Sequence, residues 1–309
     1  MTVDALRTEI AQFLKFRIPA PPESYQVDEE VQEPGYRRLR IRYPDDEGKD
    51  IPAYLLLPDG EGPFPAALVH HQHASQRHLG KSEICGLVGD PMQAFGPALA
   101  RRGVVVLAPD SICFEDRRRN KTGIEPGEGD SDDLQHYIEL SYRLLAGDTL
   151  MRKVLEDAAL GLSLLAAHPL VDAERLGTLG HSYGGNTVLF HAALDPRLKF
   201  SCSSGAACTY ETKFAQETGI EMAEVIPGFT TRFDIQDLVR CMAPRAVLLV
   251  TAADDKFSQD ADRIVAEAQG AFDALGGREN LEHKRYQGKH PLTQTQFNDI
   301  VDWMVRQAG

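Results

Sequence analysis

Apolar runs of strand length recur along the chain and alternate with segments of helical character. The runs predicted as strands cover residues 64–70, 104–108, 175–179, 199–207, 245–251 and 281–286. The clearest of them are apolar almost throughout, as expected of strands buried on both faces. The predicted helices cover residues 91–102, 148–167, 186–194, 259–275 and 292–307. Strands that alternate with helices predict an α/β protein with a mostly parallel central sheet and helices on both faces.

The N-terminal part has a different pattern. Residues 1 to about 18 are predicted as a helix, and the prolines that follow end it, which makes residues 1–22 a helical extension. Residues 36–43 alternate polar and apolar side chains, and residues 50–57 form a second run of strand length. The turn chemistry between these two runs predicts an antiparallel hairpin ahead of the parallel strands.

Regular alternation breaks in two places, at about residues 110–147 and 209–242. A long excursion inside a compact domain is usually functional, so we expect both segments to act as caps over a site. The chain has no internal repeat and no clear linker. We therefore predict a single α/β domain over residues 1–309 that carries two cap insertions.

The composition of the chain limits which classes of molecule it is expected to bind. A formal net charge of −13 argues against nucleic acid or an anionic membrane surface as a partner. No run approaches the length of a transmembrane helix, and the N-terminus lacks the apolar region of a secretory signal. Five cysteines without CxxC spacing suit a reduced cytoplasm. We expect a cytoplasmic protein that acts on a small molecule and leave open whether it forms a homo-oligomer.

A Gly-x-Ser-x-Gly pattern lies between a predicted strand and a predicted helix. Gly180, Ser182 and Gly184 supply its three defining positions, after the strand at 175–179 and before the helix at 186–194. A serine on such a sharp turn is held with its hydroxyl exposed, and the glycines remove Cβ atoms that would collide across the turn. Ser182 is therefore the predicted nucleophile, with a glycine-rich packing turn as the alternative.

A serine nucleophile needs a base and a carboxylate, and in a parallel sheet reactive groups collect where strands end. The strand at 245–251 is followed by Asp254, which we predict as the acid. Asp255 and Asp260 are rivals on the same loop, and each of these aspartates could instead cap the next helix.

The strand at 281–286 is followed by His290, which we predict as the base. His283 is the rival, although its place in the strand pattern favours a position within the sheet. His181 adjoins the nucleophile, and we expect it to pack rather than react. The chain order Ser, Asp, His is typical of the α/β-hydrolase elbow.

The transition state of acyl transfer needs two N–H donors. The backbone N–H of Tyr183 is the first candidate, and that of Gln72, after the strand at 64–70, is the second. His73 is the alternative to Gln72.

Two further groups of residues are candidates for contact with a substrate. The histidines near Gln72 lack regular metal-ligand spacing, so no metal site is predicted. His71 and His73 are expected to line the pocket mouth or to position the loop. Arg117, close to Phe114, could bind an acidic substrate group, with a solvated cap surface as the alternative. No cofactor is implied.

Several further stretches resemble the dienelactone hydrolase and acetyl xylan esterase-like group of α/β-hydrolases, which are related to the prolyl oligopeptidase-type hydrolases. The resemblance covers roughly residues 36–307 and rests, beside the elbow, on residues 80–87, 99–110, 168–172, 195–197 and 243–245. It implies a serine hydrolase with Ser182, Asp254 and His290 as the triad. Two positions depart from the group: Ser182 stands where dienelactone hydrolases have Cys, and His71 stands where a glycine usually follows the first histidine.

Together these features predict a carboxylic-ester hydrolase that acts on small acyl or acetyl esters through an acyl-enzyme. An amidase or aminopeptidase of the prolyl oligopeptidase type is the alternative. A non-catalytic binding protein on the same fold is a third reading.

Overall fold

A nine-stranded sheet forms the centre of the computed structural model, which describes all residues from Met1 to Gly309. The strands are β1 (Gln26–Glu33), β2 (Tyr36–Pro44), β3 (Asp50–Pro58), β4 (Phe64–His70), β5 (Val105–Pro109), β6 (Val171–His181), β7 (Leu198–Ser204), β8 (Ala246–Ala252) and β9 (Leu281–Tyr286). Their spatial order is β1-β2-β3-β5-β4-β6-β7-β8-β9. The first three strands and the β3–β5 pair are antiparallel, and all later pairs are parallel.

Ten α-helices surround the sheet. They are α1 (Val3–Phe13), α2 (Lys81–Ile84), α3 (Phe95–Ala100), α4 (Ser131–Leu145), α5 (Leu150–Ala167), α6 (Tyr183–Leu194), α7 (Tyr210–Ala215), α8 (Ile235–Met242), α9 (Ala261–Ala274) and α10 (Gln294–Ala308). No helix combines the length and the apolar character needed to cross a bilayer.

Buried apolar side chains form a separate cluster on each face of the sheet. Helices α5 and α6 belong to the larger cluster, and α3 and α10 belong to the smaller one. The parallel strands have the expected apolar character because they are covered twice, and every residue of β5 is buried. The predicted α/β class, with a mostly parallel sheet and helices on both faces, is confirmed.

The predicted hairpin is present as β2 and β3, which pair antiparallel with Tyr43 opposite Ile51. The sequence pattern missed β1 because its residues are almost all polar. Cross-strand ion pairs, such as Arg37 with Glu30, join this exposed edge strand to β2. A charged edge strand of this kind also resists pairing with another chain.

The N-terminal helix is shorter than predicted and ends at Phe13 rather than near residue 18. Arg7 holds it against the body of the protein, since its guanidinium donates to the carbonyls of Ala193 and Cys241. The first predicted cap segment, 110–147, contains α4. The second, 209–242, contains α7 and α8, and α8 packs between α6 and α9.

Candidate active site

Ser182 lies at the abrupt junction between β6 and α6. Its backbone has φ 57° and ψ −119°, a conformation that side-chain-bearing residues rarely adopt. A Cβ atom on Gly180 would lie 2.3 Å from the backbone of Gly184, and one on Gly184 would lie 2.3 Å from the carbonyl oxygen of His70. Both glycines are therefore required by close backbone approach, and the turn packs directly against the end of β4.

Three side chains form a continuous hydrogen-bonded chain at this junction. Nε2 of His290 lies 2.8 Å from Oγ of Ser182, and Nδ1 of His290 lies 3.0 Å from Oδ1 of Asp255. Because a carboxylate only accepts, Nδ1 carries the hydrogen and Nε2 is left free to accept the serine proton. This arrangement can remove a proton from Ser182.

The carboxylate in this chain is Asp255, which corrects the prediction of Asp254. Asp254 is exposed, and its backbone N–H donates to the carbonyl of Gly288. Asp255 is buried. Its backbone N–H donates to the carbonyl of Ala252, and this hydrogen bond closes the turn after β8. The third candidate, Asp260, instead accepts hydrogen bonds from Thr209 in the second cap segment.

Asp255 is held in place by donors from its own loop. Its carboxylate accepts from the N–H of Phe257 at 3.0 Å and from the hydroxyl of Ser258 at 2.6 Å. Burial raises the pKa of Asp255, but the hydrogen bond and charge of His290, with these two donors, outweigh burial and lower it. The sequence prediction did not use the Asp-x-x-Ser spacing of Asp255 and Ser258, which could have distinguished Asp255 from Asp254.

The two remaining histidines near the turn have structural contacts. His181 is buried with Nδ1 3.0 Å from Oγ of Ser204, and burial lowers its pKa to about 3, so its ring is neutral. Its ring centroid lies 4.9 Å from that of His290. His283 lies on β9, where its Nε2 is 2.8 Å from the hydroxyl of Thr251, as the strand pattern indicated.

Two backbone N–H groups near Ser182 have no hydrogen-bond acceptor in the protein. Tyr183 is the first residue of α6, so its N–H has no acceptor within that helix. The N–H of Gln72 makes no hydrogen bond within the chain. His71 fixes the Gln72 loop, since its Nε2 accepts from the N–H of Ser111 and its Nδ1 donates to the carbonyl of Gln72.

A cavity of about 300 Å³ opens beside the serine. The residues that line it are His73, Ala74, Ser75, Ser182, Tyr183, Asn186, Gly205, Lys213, Gly219, Ile220, Glu221, Glu224, Phe257 and His290. The second cap segment supplies one wall, and the loop after β4 supplies another. The walls carry two charged pairs, Lys213 with Glu224 and His73 with Glu221.

Only one of the four predicted substrate contacts, His73, lines this cavity. His71 is buried and engaged by the backbone, as described above. Phe114 is fully buried with its ring centroid 5.0 Å from that of Tyr183. The guanidinium of Arg117 donates hydrogen bonds to the carboxylates of Asp157 and Asp45, at 2.8 and 3.2 Å. Phe114 and Arg117 are therefore not substrate contacts in this cavity, because they pack against or bind other side chains of the protein. His71 does not line the cavity but positions the Gln72 loop, which was the alternative expected for it.

The polar cavity residues Asn186, Lys213, Glu221 and Glu224 were not predicted. Asn186 could have been found, because it follows Ser182 by four residues, one helical turn along α6. The other three lie in the second cap segment. The hydrophobic periodicity of the sequence does not predict how this segment folds over the site.

Two acidic clusters could in principle hold a metal ion. Asp110, Glu115 and Asp116 form one, and Asp45, Asp46 and Asp157 form the other. A buried lysine already binds all three carboxylates of each cluster, Lys81 in the first and Lys153 in the second. The histidines near Gln72 have separate partners: His73 pairs with Glu221, whereas His71 is held by backbone groups.

The sheet order, the strand–turn–helix at Ser182 and the helices on both faces define an α/β-hydrolase fold. Residues 145–256 match the model of the prolyl oligopeptidase family. The chain is also similar to the "Putative hydrolase YtaP" of Bacillus subtilis (strain 168), with 27% identity over 233 residues and 73% of each chain covered.

Solved structures of esterases share the fold. A "putative acetyl xylan esterase" from Bacteroides fragilis NCTC 9343 superposes with a TM-score of 0.75 at 17% identity, covering 92% of this chain and 74% of the other. A glucuronoyl esterase from Solibacter usitatus superposes with a TM-score of 0.69 at 16% identity, covering 98% and 92%. The resemblance inferred from the sequence motifs is confirmed by these comparisons.

Proposed function

We propose that this chain is a serine hydrolase that cleaves carboxylic esters through an acyl-enzyme intermediate. The observation that carries the proposal is the hydrogen-bonded chain from Ser182 through His290 to Asp255, which opens onto a cavity. The similarity in fold to acetyl xylan and glucuronoyl esterases supports an ester as the substrate. A cavity of about 300 Å³ favours small acyl groups such as acetyl.

In the proposed reaction, His290 takes the proton of Ser182 as its oxygen attacks the ester carbonyl. Asp255 stabilises the imidazolium that forms and keeps Nε2 directed at the serine. His290 then protonates the leaving alcohol and afterwards activates a water molecule, which releases the acid and restores Ser182. Each step moves one proton between an oxygen atom and Nε2 of His290, so the protons balance without a further acid or base.

The negative charge that develops on the ester oxygen needs donors already in position. We assign this role to the N–H groups of Tyr183 and Gln72. The position of Tyr183 at the first turn of α6 supports its assignment, because a helix N-terminus favours negative charge. The absence of an internal acceptor for Gln72 N–H supports the second assignment.

The experiment that tests this proposal compares the wild type with Ser182→Ala on 4-nitrophenyl acetate. We expect the wild type to hydrolyse the ester and the variant to lose roughly 10³-fold or more in kcat. Full activity in Ser182→Ala would refute the role of Ser182. Burst kinetics in the wild type would report the acyl-enzyme directly.

An amidase or aminopeptidase is the second candidate, which the match of residues 145–256 to the prolyl oligopeptidase family supports. The rates on 4-nitrophenyl acetate and on the matching 4-nitroacetanilide separate the two. We expect the ester to be hydrolysed much faster. An anilide rate equal to or above the ester rate would favour the amidase.

We further propose that the protein works in the cytoplasm. All five cysteines are free and buried, which is compatible with a reducing compartment. Fractionation of cells that express the chain tests this proposal, and recovery of the active protein outside the cytoplasmic fraction would contradict it.

A further inference from the structure

Helix α4 carries large apolar side chains on the face that points away from the protein body. Three of its four buried residues are polar, namely Gln135, His136 and Arg143. On the opposite face, four large apolar side chains are each more than half exposed: Leu134, Tyr137, Tyr142 and Leu145. A surface helix of a globular protein normally has the reverse arrangement, with its apolar face against the core. The outward face of α4 therefore has the composition of a buried surface.

The side chains of this face form a row along one side of the helix, because residues three and four apart share a side. The row consists of Leu134, Ile138, Ser141 and Leu145. Tyr137 and Tyr142 flank it, and we call the row with these two tyrosines the α4 stripe. Four of the twelve exposed large apolar residues of the chain lie on this one helix. Because monomeric soluble proteins rarely expose a continuous apolar patch of more than a few hundred Å², we expect a partner to cover the stripe.

The two ends of the α4 stripe carry unpaired charges of opposite sign. Asp130 precedes Leu134 by one helical turn, is exposed and has no ion pair. At the other end, Nζ of Lys15 donates at 2.9 Å to the carbonyl of Gly147, two residues beyond α4. Lys15 and the nearby Arg17 are also exposed and without an ion pair. The stripe is thus acidic at one end and basic at the other.

We infer that this protein forms a two-fold symmetric homodimer in which the α4 stripes of two copies pack antiparallel. Leu134 of one copy then lies opposite Leu145 of the other, and Asp130 lies beside Lys15 of the other. Because the two-fold axis makes every contact twice, the acidic and basic ends pair in both halves of the dimer. Covering the exposed side chains buries roughly 500 Å² per copy, or about 1,000 Å² in the pair, which is the size that a specific interface needs.

A second copy fits this face better than a lipid bilayer does. Helices that lie in a bilayer surface carry many lysine and arginine residues beside their apolar face. The only such residue in α4 is Arg143, which is buried and paired with Glu139. An anionic lipid surface would also repel the acidic end of the stripe and a chain of net charge −13. A second copy, in contrast, offers both signs of charge where they are needed.

Sedimentation velocity over a range of protein concentrations tests the inference. We expect the wild type to reach the mass of two 34.1 kDa chains at micromolar concentration. Leu145→Glu places a charge in both leucine contacts of the dimer, so the dissociation constant should rise at least about 100-fold. Leu275→Glu is the matched control, because Leu275 is exposed at the end of α9, outside the stripe. It should dissociate as the wild type does, and both variants should keep the wild-type circular dichroism spectrum.

An exchange of charges tests the antiparallel arrangement. Asp130→Lys and Lys15→Glu each place like charges beside one another in both halves of their own homodimer. Each should therefore raise the dissociation constant about tenfold or more. An equimolar mixture of the two variants should form a heterodimer of wild-type affinity, because both contacts then join opposite charges.

Three results would overturn the inference. A wild type that stays monomeric at every concentration would leave the α4 stripe to another occupant, whether a membrane or a different protein. A wild-type dimer that Leu145→Glu does not weaken would place the interface on another surface. Two charge variants that are no more associated in the mixture than alone would contradict the antiparallel arrangement. Because none of these measurements involves hydrolysis at Ser182, the proposed function is tested separately.

Discussion

Asp254 and Asp255 are adjacent in sequence but differ in what their carboxylates can contact. Both follow β8, and the general rule that reactive groups collect at strand ends places either of them near His290. The choice depends on the turn, which buries one carboxylate against His290 and leaves the other in solvent. Strand and helix periodicity cannot distinguish two adjacent residues within a turn.

The two aspartates make a matched pair for mutation. Asp255→Asn should lower kcat/KM for ester hydrolysis roughly 10³- to 10⁴-fold, because the amide no longer stabilises the imidazolium or fixes the tautomer of His290. Asp254→Asn should change it by no more than about threefold, as expected of an exposed side chain. Steady-state kinetics on one activated ester measures both. A larger loss in Asp254→Asn than in Asp255→Asn would contradict the assignment.

Other single residues were predictable because local chemistry defines them. The Gly-x-Ser-x-Gly pattern identifies Ser182 at a strand end, and the loop after the last strand identifies His290. The structure brings these two side chains to 2.8 Å of each other. Arg117 and Phe114 were misjudged because their partners come from distant segments, which one sequence does not disclose.

At the scale of elements, apolar runs predicted the parallel strands well because those strands are covered on both faces. Strand β1 was not predicted, because ion pairs with β2 rather than an apolar face hold it in the sheet. Helix α1 ends at Phe13, earlier than the prolines alone indicated. Burial leaves a clear pattern in sequence, whereas pairing between charged side chains does not.

Two glycines in regular elements should respond oppositely to alanine. A Cβ on Gly177 in β6 would lie 2.1 Å from the buried ring of Phe200, so Gly177→Ala should destabilise the protein by about 2 kcal/mol or more. Gly270 lies in α9 with open space around its Cβ position, so Gly270→Ala should stabilise the protein by about 0.5–1 kcal/mol. Urea unfolding measures both.

The two glycine variants control for each other, since both add one methyl group. Equal shifts in unfolding midpoint, or destabilisation by Gly270→Ala, would contradict the packing described for β6 and α9.

At the scale of the whole molecule, the second cap segment is joined to the body through charged contacts. Glu221, from this segment, pairs with His73 in the loop after β4 and faces Arg77 and His136. Burial raises the pKa of Glu221, but the hydrogen bond from His73 and the nearby positive charges outweigh burial and lower it to about 2. The path of this segment was not predictable, because its charged pairs join residues far apart in sequence.

The lowered pKa of Glu221 predicts how stability depends on pH. A carboxyl group whose pKa falls on folding stabilises the protein above its unfolded pKa, and this contribution is lost as pH falls towards the folded value. The stability difference between the wild type and Glu221→Gln should therefore shrink by about 2 kcal/mol between pH 5.5 and pH 3. Urea unfolding at both pH values measures it.

Glu217→Gln is the control for this experiment, because Glu217 is exposed in the same segment and has no ion pair. Its stability relative to the wild type should stay within about 0.5 kcal/mol at both pH values. A pH-independent difference for Glu221→Gln would contradict the lowered pKa of Glu221.

The central claim is that Ser182 is an activated and reachable nucleophile, and intact mass after incubation with a small fluorophosphonate tests it most directly. We predict one adduct on the wild type, none on Ser182→Ala, and much slower labelling of Asp255→Asn. An unlabelled wild type, or equal labelling of Ser182→Ala, would contradict the claim. The first of these results would favour a binding protein that keeps the α/β-hydrolase fold without turnover.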